Sequence, residues 1–360
     1  MLYLFEDIKN TIKDNVIAKY IRIKRANKRI VNEKSINKRI NKYMGEISSE
    51  ERARIKKDIL DAARKYRFSA EEYFYYHLAD KSDEERRTFI SDLDRVEFCI
   101  KVNKAKNLDK FKDKGRTAKI FSKYYKRDVC KVESVKDLEK LKEFAKKHKK
   151  IIIKPLKGSF GAGVRVLEKE WTDDELKQII FEYCTKEIGG FIAEELIVQV
   201  PEMAQFHPAS LNTIRVATVR FDEGSEVIGA FFRTGRGESI VDNGGQGGIF
   251  GTIDVKSGVI VAVGDECGNN YTKHPDTEID MVGFSIPRWE DAVNTAKELS
   301  LVIKDNRYTG WDLALSEKGW VLVEGNSMGQ FLWQIPTRKG FRSEIDYILE
   351  RLGFSKTKTH

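Results

Sequence analysis

The chain has 360 residues, of which 41% are hydrophobic, and it carries a formal net charge of +9. This length allows a sizeable core, built as two or three packed units. Four scattered cysteines without a CxxC pair argue against a disulfide framework or a structural zinc site, and indicate a reducing compartment. Because neither a basic-then-apolar leader nor an apolar run of membrane-spanning length is found, we expect a cytoplasmic protein.

The first part of the chain, residues 1–104, contains no proline and a single glycine, Gly45. Its apolar positions recur at helical spacing, including RRTFISDLDRVEF, so we predict a helical region in which Ser69 opens one helix with a capping box. Lysine and arginine crowd residues 9–64. Such a stretch could bind nucleic acid or an anionic membrane surface, but basic residues more often form the solvated face of helices.

Beyond residue 104, predicted helices and strands are mixed. Helices are expected at DKGRTAKIFSKYY, SVKDLEKLKEFAKKH, DDELKQIIFEYCTKE (ending at Gly189-Gly190) and EDAVNTAKELSLVI. Strands are expected at RDVCKV, FIAEELIVQV, TIRVATVRF, EVIGAFFRT, GGIFGTIDV and in GWDLALSEKGWVLVEGN. A helical head followed by two mixed modules predicts the α+β fold class.

A glycine-rich loop joins two predicted strands in IIIKPLKGSFGAGVR, residues 151–165. Glycines let the backbone approach a ligand closely and present bare N–H groups, which suits phosphate oxygens. The Walker motif is excluded because its lysine follows the loop, and the dinucleotide fingerprint because no third glycine opens a helix. The alternative is a flexible hairpin without a ligand.

The last predicted hairpin carries two carboxylates at one end. Asp312 begins the first strand and Glu324 ends the second, so antiparallel pairing brings them nearly opposite each other. Asn326 lies two residues further on and shares the face of Glu324. Two carboxylates and an amide oxygen suit Mg²⁺. The alternative is a pair of ordinary polar hairpin residues, although unpaired charges among apolar neighbours would be costly.

Two arginines lie on neighbouring predicted strands. Arg215 and Arg233 could clamp phosphate or carboxylate groups, or they could be surface residues of an antiparallel sheet. The segment DNGGQGGIFG, residues 242–251, is too rich in glycine to fold well, which favours a close-approach role for Asn243 and its neighbours.

In this order, the motifs resemble the ATP-grasp superfamily over roughly residues 105–340. The segments SLNTIRVAT, VEGNSMGQF and YRFSAEEYFYYH look most like its sugar-transfer-associated branch. The resemblance implies an ATP-grasp fold of two α+β subdomains, residues 105–196 and 197–360, preceded by the helical region 1–104. It also implies ATP between the subdomains, with Mg²⁺ as a second cofactor.

The resemblance further implies roles for single residues. Lys154 would contact the α- and β-phosphates, and the loop around Ser159, Gly161 and Gly163 would cover the β/γ end. An earlier lysine is expected in DKGRTAK, which resembles the equivalent piece of D-alanine–D-alanine ligase; Lys114 is favoured and Lys119 is the reserve.

The adenine and metal contacts follow from the same resemblance. Residues at the hinge would read the adenine edge, namely Glu194, Glu195 and Ile197. Glu202 or Gln199 would lie near the ribose, and Mg²⁺ would be held by Asp312, Glu324 and Asn326. Ligases of this type often carry an arginine before the first metal carboxylate, where this chain has Gly310-Trp311. Arg215 or Arg233 would supply that charge instead.

We therefore predict an ATP- and Mg²⁺-dependent carboxylate–amine ligase that forms a C–N bond through an acyl phosphate. Its expected substrates are a small-molecule or glycan-linked carboxylate and an amine, in surface polysaccharide or small-metabolite biosynthesis, and the oligomeric state is left open. One alternative is a kinase acting on a sugar or amide, with Asp242 or His207 as base. Another is a non-catalytic nucleotide- or polymer-binding protein that acts through the basic head.

Overall fold

The structure is a computed structural model that describes residues 30–104, 110–158, 162–168, 171–239, 242 and 247–355. The predicted site residues Ser159, Gly161 and Asn243 lie outside the described residues, as does the first part of the basic head. The chain divides into two compact units. The first unit comprises residues 1–105, 264–270 and 330–360, and the second comprises residues 106–263 and 271–329.

Helices come first along the chain, and strands and helices are mixed after them. The helices are α1 (Glu33–Met44), α2 (Ser49–Tyr66), α3 (Ala70–Tyr75), α4 (Asp83–Thr88), α5 (Asp92–Val102), α6 (Lys114–Ile120), α7 (Ser122–Tyr125), α8 (Leu138–Lys147), α9 (Asp173–Tyr183), α10 (Pro201–Ala204), α11 (Trp289–Val302), α12 (Gln334–Thr337) and α13 (Arg342–Arg351). The strands are β1 (Val129–Val132), β2 (Ile151–Pro155), β3 (Arg165–Leu167), β4 (Phe191–Glu195), β5 (Thr213–Arg220), β6 (Ser225–Thr234), β7 (Ile249–Ile253), β8 (Ile260–Gly264), β9 (Asn270–Tyr271), β10 (Tyr308–Ser316) and β11 (Gly319–Asn326).

The first unit is helical in its described part. The predicted capping box is confirmed: the Ser69 hydroxyl accepts from the Glu72 amide, and the Glu72 carboxylate accepts from the Ser69 amide. The helical spacing in RRTFISDLDRVEF belongs to two helices, because α4 ends at Thr88 and the Ser91 hydroxyl accepts from the Asp94 amide to cap α5. Residues 330–360, which were predicted as part of the C-terminal subdomain, cluster here with the helical region, where Arg342 donates to Asp94.

The second unit contains two antiparallel sheets. The four-stranded sheet has the order β1-β4-β2-β3, and α8 and α9 share its hydrophobic core. The seven-stranded sheet has the order β11-β10-β5-β6-β7-β8-β9, and α11 packs on β5 and β6. The predicted α+β fold class is confirmed.

One predicted helix end is wrong. Helix α9 ends at Tyr183 rather than at the glycine pair, because Cys184 leaves helical geometry after closing its last bond to Ile180. Gly190 serves close packing instead: a Cβ there would lie 2.3 Å from the main-chain oxygen of Val132. No helix in the described ranges is long and apolar enough to cross a membrane.

Side-chain alternation determines which residues face the candidate site. In β2, Ile151 and Ile153 enter the core of the four-stranded sheet, so Lys154 lies on the opposite face. In β10, Trp311 and Leu313 enter the core of the seven-stranded sheet, so Asp312 lies on the polar face. The hydrophobic pattern therefore orients the charged residues.

Candidate functional site

The first half of the site is an ion pair on the four-stranded sheet. Lys154 in β2 and Glu194 in β4 lie on adjacent paired strands, and Nζ of Lys154 donates to Oε2 of Glu194 over 2.9 Å. Both side chains are largely removed from solvent. Burial lowers the pKa of Lys154, although Glu194 opposes that shift.

A second cation shares the same carboxylate. Arg127 precedes β1 and donates to Oε2 of Glu194 from Nε at 2.9 Å and from Nη2 at 2.7 Å. Burial alone would raise the pKa of Glu194, but Arg127 and Lys154 outweigh it and bring that pKa to about 2. Glu194 is therefore ionised throughout the neutral range.

A cleft of about 250 Å³ opens beside this pair, in the second unit. The predicted hinge residues Glu195 and Ile197 line it, together with Tyr125, Lys126, Arg127, Leu196, Val198, Ser316, Glu317, Lys318 and Val321. Glu195 accepts from the Asp128 amide at 3.1 Å and from Lys318 at 3.2 Å. The cleft combines apolar walls with main-chain groups at a strand end, which suits a planar heterocycle.

The other predicted ribose and phosphate residues have different surroundings. The amide of Gln199 bonds to Ser210 and Asn212, so its polar atoms serve the local fold, whereas Glu202 is exposed on α10. Lys119 is also exposed. Lys114 lies at the start of α6 and donates to the main-chain oxygen of Gly158, at the base of the glycine loop, over 3.1 Å.

The described end of that loop is anchored. Gly163 has φ +71°, and a Cβ there would lie 2.9 Å from Cγ of Pro155, so only glycine fits without strain. The Tyr183 hydroxyl donates to the main-chain oxygen of Gly163 over 2.7 Å. Helix α9 thus fixes one end of the segment that contains Ser159 and Gly161.

The second half of the site lies on the polar face of the seven-stranded sheet. Asp312 pairs with Arg215 across β10 and β5, and the guanidinium binds both carboxylate oxygens at 2.5 and 2.7 Å. Arg233 donates to the same carboxylate at 3.0 Å. Burial acts to raise the pKa of Asp312, but the two arginines together lower it. The predicted arginines therefore meet at Asp312, the first of the predicted metal ligands.

The contact between Arg215 and Asp312 depends on Gly310, the glycine that precedes Trp311 and Asp312. A Cβ at that position would lie 3.2 Å from Cδ of Arg215, so glycine leaves space for the arginine to cross from β5. Arg233 also binds Asp242, at 2.9 Å, and Thr213 donates to that second carboxylate.

Glu324 and Asn326 complete the predicted oxygen set. Asp312 and Glu324 are direct partners in the β10–β11 ladder, and a register shift after Asp312 places Glu324 on the polar face although Leu322 enters the core. Within the described chain, the Glu324 carboxylate has no hydrogen bond or ion pair. Burial and the neighbouring Asp312 raise its pKa, against the opposing charges of Lys114, Arg215 and Lys154. The Glu324 carboxylate therefore lies within electrostatic range of all four of these charged residues.

The donor chemistry fits Mg²⁺. Nδ2 of Asn326 donates to Asp312 over 3.3 Å, which leaves its amide oxygen as a neutral ligand atom. A carboxylate without a partner, a second carboxylate and an amide oxygen on one face are the hard oxygen ligands that this ion prefers.

Another acidic group is already neutralised. Asp128, His148 and Glu195 offer ligand atoms within 4.8 Å of one another. However, Asp128 binds Lys147 and His148, and Glu195 binds Lys318. This group therefore has no carboxylate without a partner, unlike the predicted Mg²⁺ site, where Glu324 is unpaired within the described chain.

Arg127 was not predicted as a site residue. It lies 67 positions before Glu194, and no motif connects the two. The one available signal was its place at the start of the predicted strand RDVCKV.

The chain is similar to one protein family and to several solved structures. Residues 93–349 match the family described as sugar-transfer associated ATP-grasp. D-alanyl-alanine synthetase A from Vibrio cholerae is 10% identical, with a TM-score of 0.42 and coverage of 68% of this chain and 62% of that chain. Biotin carboxylase from Campylobacter jejuni is 12% identical, with a TM-score of 0.45 and coverage of 73% and 52%.

The chain thus spans less than two thirds of the length of these solved structures. No curated protein matches the sequence. Because the family match extends over more than half of its residues, the chain belongs to the sugar-transfer associated ATP-grasp family.

Proposed function

We propose that this chain is an ATP- and Mg²⁺-dependent carboxylate–amine ligase that forms a C–N bond through an acyl phosphate. The observation that carries the proposal is the position of Glu324. Its carboxylate faces Asp312 across the ladder, interacts with the charges of Lys114, Arg215 and Lys154, and has no hydrogen bond or ion pair in the described chain. A buried carboxylate without a hydrogen bond or ion pair is costly, and a metal ion that binds together with phosphates would neutralise it.

The metal would be held by Asp312, Glu324 and Asn326. When bound, Mg²⁺ would neutralise the charge that develops on the transferring phosphoryl group. The arginines have a supporting role, because Arg215 and Arg233 hold the Asp312 carboxylate in place and keep it ionised.

The lysines and the hinge would position ATP. Adenine would occupy the cleft beside Glu195 and Ile197, and Lys154 and Lys114 would bind the phosphates; Lys114 already contacts the base of the glycine loop at Gly158. A substrate carboxylate oxygen would then attack the γ-phosphorus as the bond to ADP breaks. The amine would attack the acyl carbon, phosphate would leave with the C–O electron pair, and the amine would release one proton.

Phosphotransfer to a hydroxyl needs a base, and the two predicted bases are engaged. His207 is buried, and its two ring nitrogens bond to Ser210 and to the main-chain oxygen of Gly237. Asp242 is bound by Arg233 and Thr213, and burial raises its pKa. These contacts favour the ligase over the kinase.

The remaining proposals concern the substrate, the cellular process, the compartment and the basic head. The family description favours a glycan-linked or small-molecule carboxylate as substrate and surface polysaccharide synthesis as the process. Since ATP is supplied inside the cell, we expect the reaction in the cytoplasm. The basic head remains a candidate for contact with nucleic acid or anionic lipid.

The test is to incubate the full chain with Mg²⁺, ATP and candidate carboxylates and amines, and to analyse the products by mass. We expect ADP, phosphate and an amide, and we expect hydroxylamine to trap the acyl phosphate as a hydroxamate. An organic product that retains the γ-phosphate would overturn the ligase in favour of the kinase.

A further inference from the structure

Arg127 has an unusually complete set of contacts for a residue outside regular structure. Besides Nε and Nη2 on Glu194, its Nη1 donates to the main-chain oxygens of Tyr125 at 3.1 Å and Leu322 at 2.7 Å. Its side chain is 3% exposed, and the guanidinium lies 4.3 Å from the centre of the Tyr125 ring. Arg127 is therefore fixed in position.

These contacts connect the two halves of the site. Glu194 belongs to β4 in the four-stranded sheet, and Leu322 belongs to β11, two residues before Glu324. One guanidinium thus joins the strand that faces Lys154 to the strand that carries a predicted metal ligand. A planar group with five donors suits this use better than a lysine would.

Glu194 binds two cations through one oxygen. Arg127 and Lys154 both contact Oε2 of this buried carboxylate, so Glu194 keeps one counterion when the other leaves. Of the two cations, Arg127 has two further carbonyl partners, whereas no other bond of Lys154 is found in the described chain. Lys154 is therefore the cation that can leave Glu194 and bind another group.

We infer that Arg127 is a positioning residue that keeps Glu194 paired, so that Lys154 can turn from this carboxylate to the phosphates of ATP. The inference rests on the proposed function, because it requires ATP at Lys154. Without Arg127, Lys154 would be the sole counterion of a buried carboxylate and would be held back from the phosphates.

The test compares ATP with adenosine, because adenosine retains the adenine and ribose contacts but lacks the phosphates. Calorimetry on the full chain gives the ratio of the two affinities. We expect Arg127→Gln to lower that ratio about tenfold, the size of one lost hydrogen bond between charged groups. The matched control is Arg307→Gln, since Arg307 also binds one carboxylate and one main-chain oxygen, at Asp222 and Arg220. Its ratio should stay at the wild-type value.

A double substitution separates positioning from a general structural effect. If Glu194 is what retains Lys154, then adding Glu194→Gln to Arg127→Gln should restore the ratio to within about threefold of Glu194→Gln alone. A wild-type ratio in folded Arg127→Gln, or a double variant that stays as weak as Arg127→Gln, would overturn the inference.

Glu194→Gln alone decides the matter if Arg127→Gln does not fold. It releases Lys154 and should therefore raise the ratio of ATP to adenosine affinity, whereas a lowered ratio would overturn the inference. Absence of ATP binding by the wild-type chain would be a different result, because it would overturn the proposed function and this inference with it.

Discussion

The guanidinium of Arg215 binds both oxygens of Asp312 from the facing position of the neighbouring strand, at 2.5 and 2.7 Å. Arg233 reaches the same carboxylate at 3.0 Å, and its other partner is Asp242. Two arginines and two carboxylates therefore form a balanced, buried network. Its members are fixed before any ligand arrives, which is the condition for electrostatic preorganisation.

Asp312→Asn should destabilise the fold. The substitution leaves Arg215 and Arg233 buried with one carboxylate, Asp242, between them, and breaking a buried pair in this way costs about 3–5 kcal/mol. Urea denaturation should show this loss in the free energy of unfolding. Asp222→Asn is the matched control, since the same residue types pair there, but Asp222 is 90% exposed. It should change the stability by less than about 1 kcal/mol.

Glu324→Gln should have the opposite effect on stability: the fold should remain as stable as in the wild type, while turnover should be lost. The surroundings raise the pKa of Glu324, so they disfavour its charge, and the neutral amide removes a repulsion from Asp312. Mg²⁺-dependent consumption of ATP with substrate should fall by at least about a hundredfold, because the ligand that lacks a protein partner is gone. Near-normal turnover in this variant would contradict the metal assignment, whatever its stability.

The part of the site that the sequence predicted is local. The tight turn at Glu317–Gly319 sets a register that would place Asp312 opposite Val323. The register shift after Asp312 brings Glu324 opposite it instead, and no pattern in the sequence predicts that shift. Alternation and turn chemistry therefore predict this pairing to within one residue.

The rest of the site depends on contacts between residues that are far apart in the sequence. A single sequence offers no pattern from which such contacts can be predicted. Arg127 meets Glu194 only because β1 pairs with β4 in the four-stranded sheet. Strand β8 was not predicted, and helix α9 ends at Tyr183, before the glycine pair, because Cys184 leaves helical geometry. The adenine hinge was located by resemblance, since spacing alone assigns it no role.

Lys154→Ala should weaken ATP binding by more than the 0–1 kcal/mol or so that an exposed ion pair contributes. The fold should persist, because Arg127 still neutralises Glu194. Lys150→Ala is the control from the same segment, since Lys150 pairs with Glu168 at the surface. Calorimetry that gives wild-type ATP affinity for the Lys154 variant would contradict the phosphate role.

The helical region offers a prediction on pH that is independent of ATP. Both carboxylate oxygens of Glu72 are bound by main-chain amides, those of Ser69 at 2.7 Å and Asp92 at 2.5 Å, and burial raises the pKa of this carboxyl to about 7. A carboxyl whose pKa is higher in the folded state holds its proton there while the unfolded chain loses it. Stability should therefore fall as the pH rises from about 4.5 to 7, and then level off.

Urea denaturation of the wild type and of Glu72→Gln across this range checks the prediction. Because glutamine does not titrate, the stability of the wild type relative to the variant should decline by about 3 kcal/mol between pH 4.5 and 7.5. Glu85→Gln is the matched control: Glu85 holds the same place in the capping box of Ser82, but it is exposed and that box lowers its pKa. Its titration ends below this range, so Glu85→Gln should keep the wild-type slope. A difference between wild type and Glu72→Gln that does not change with pH would show that the Glu72 carboxyl titrates normally.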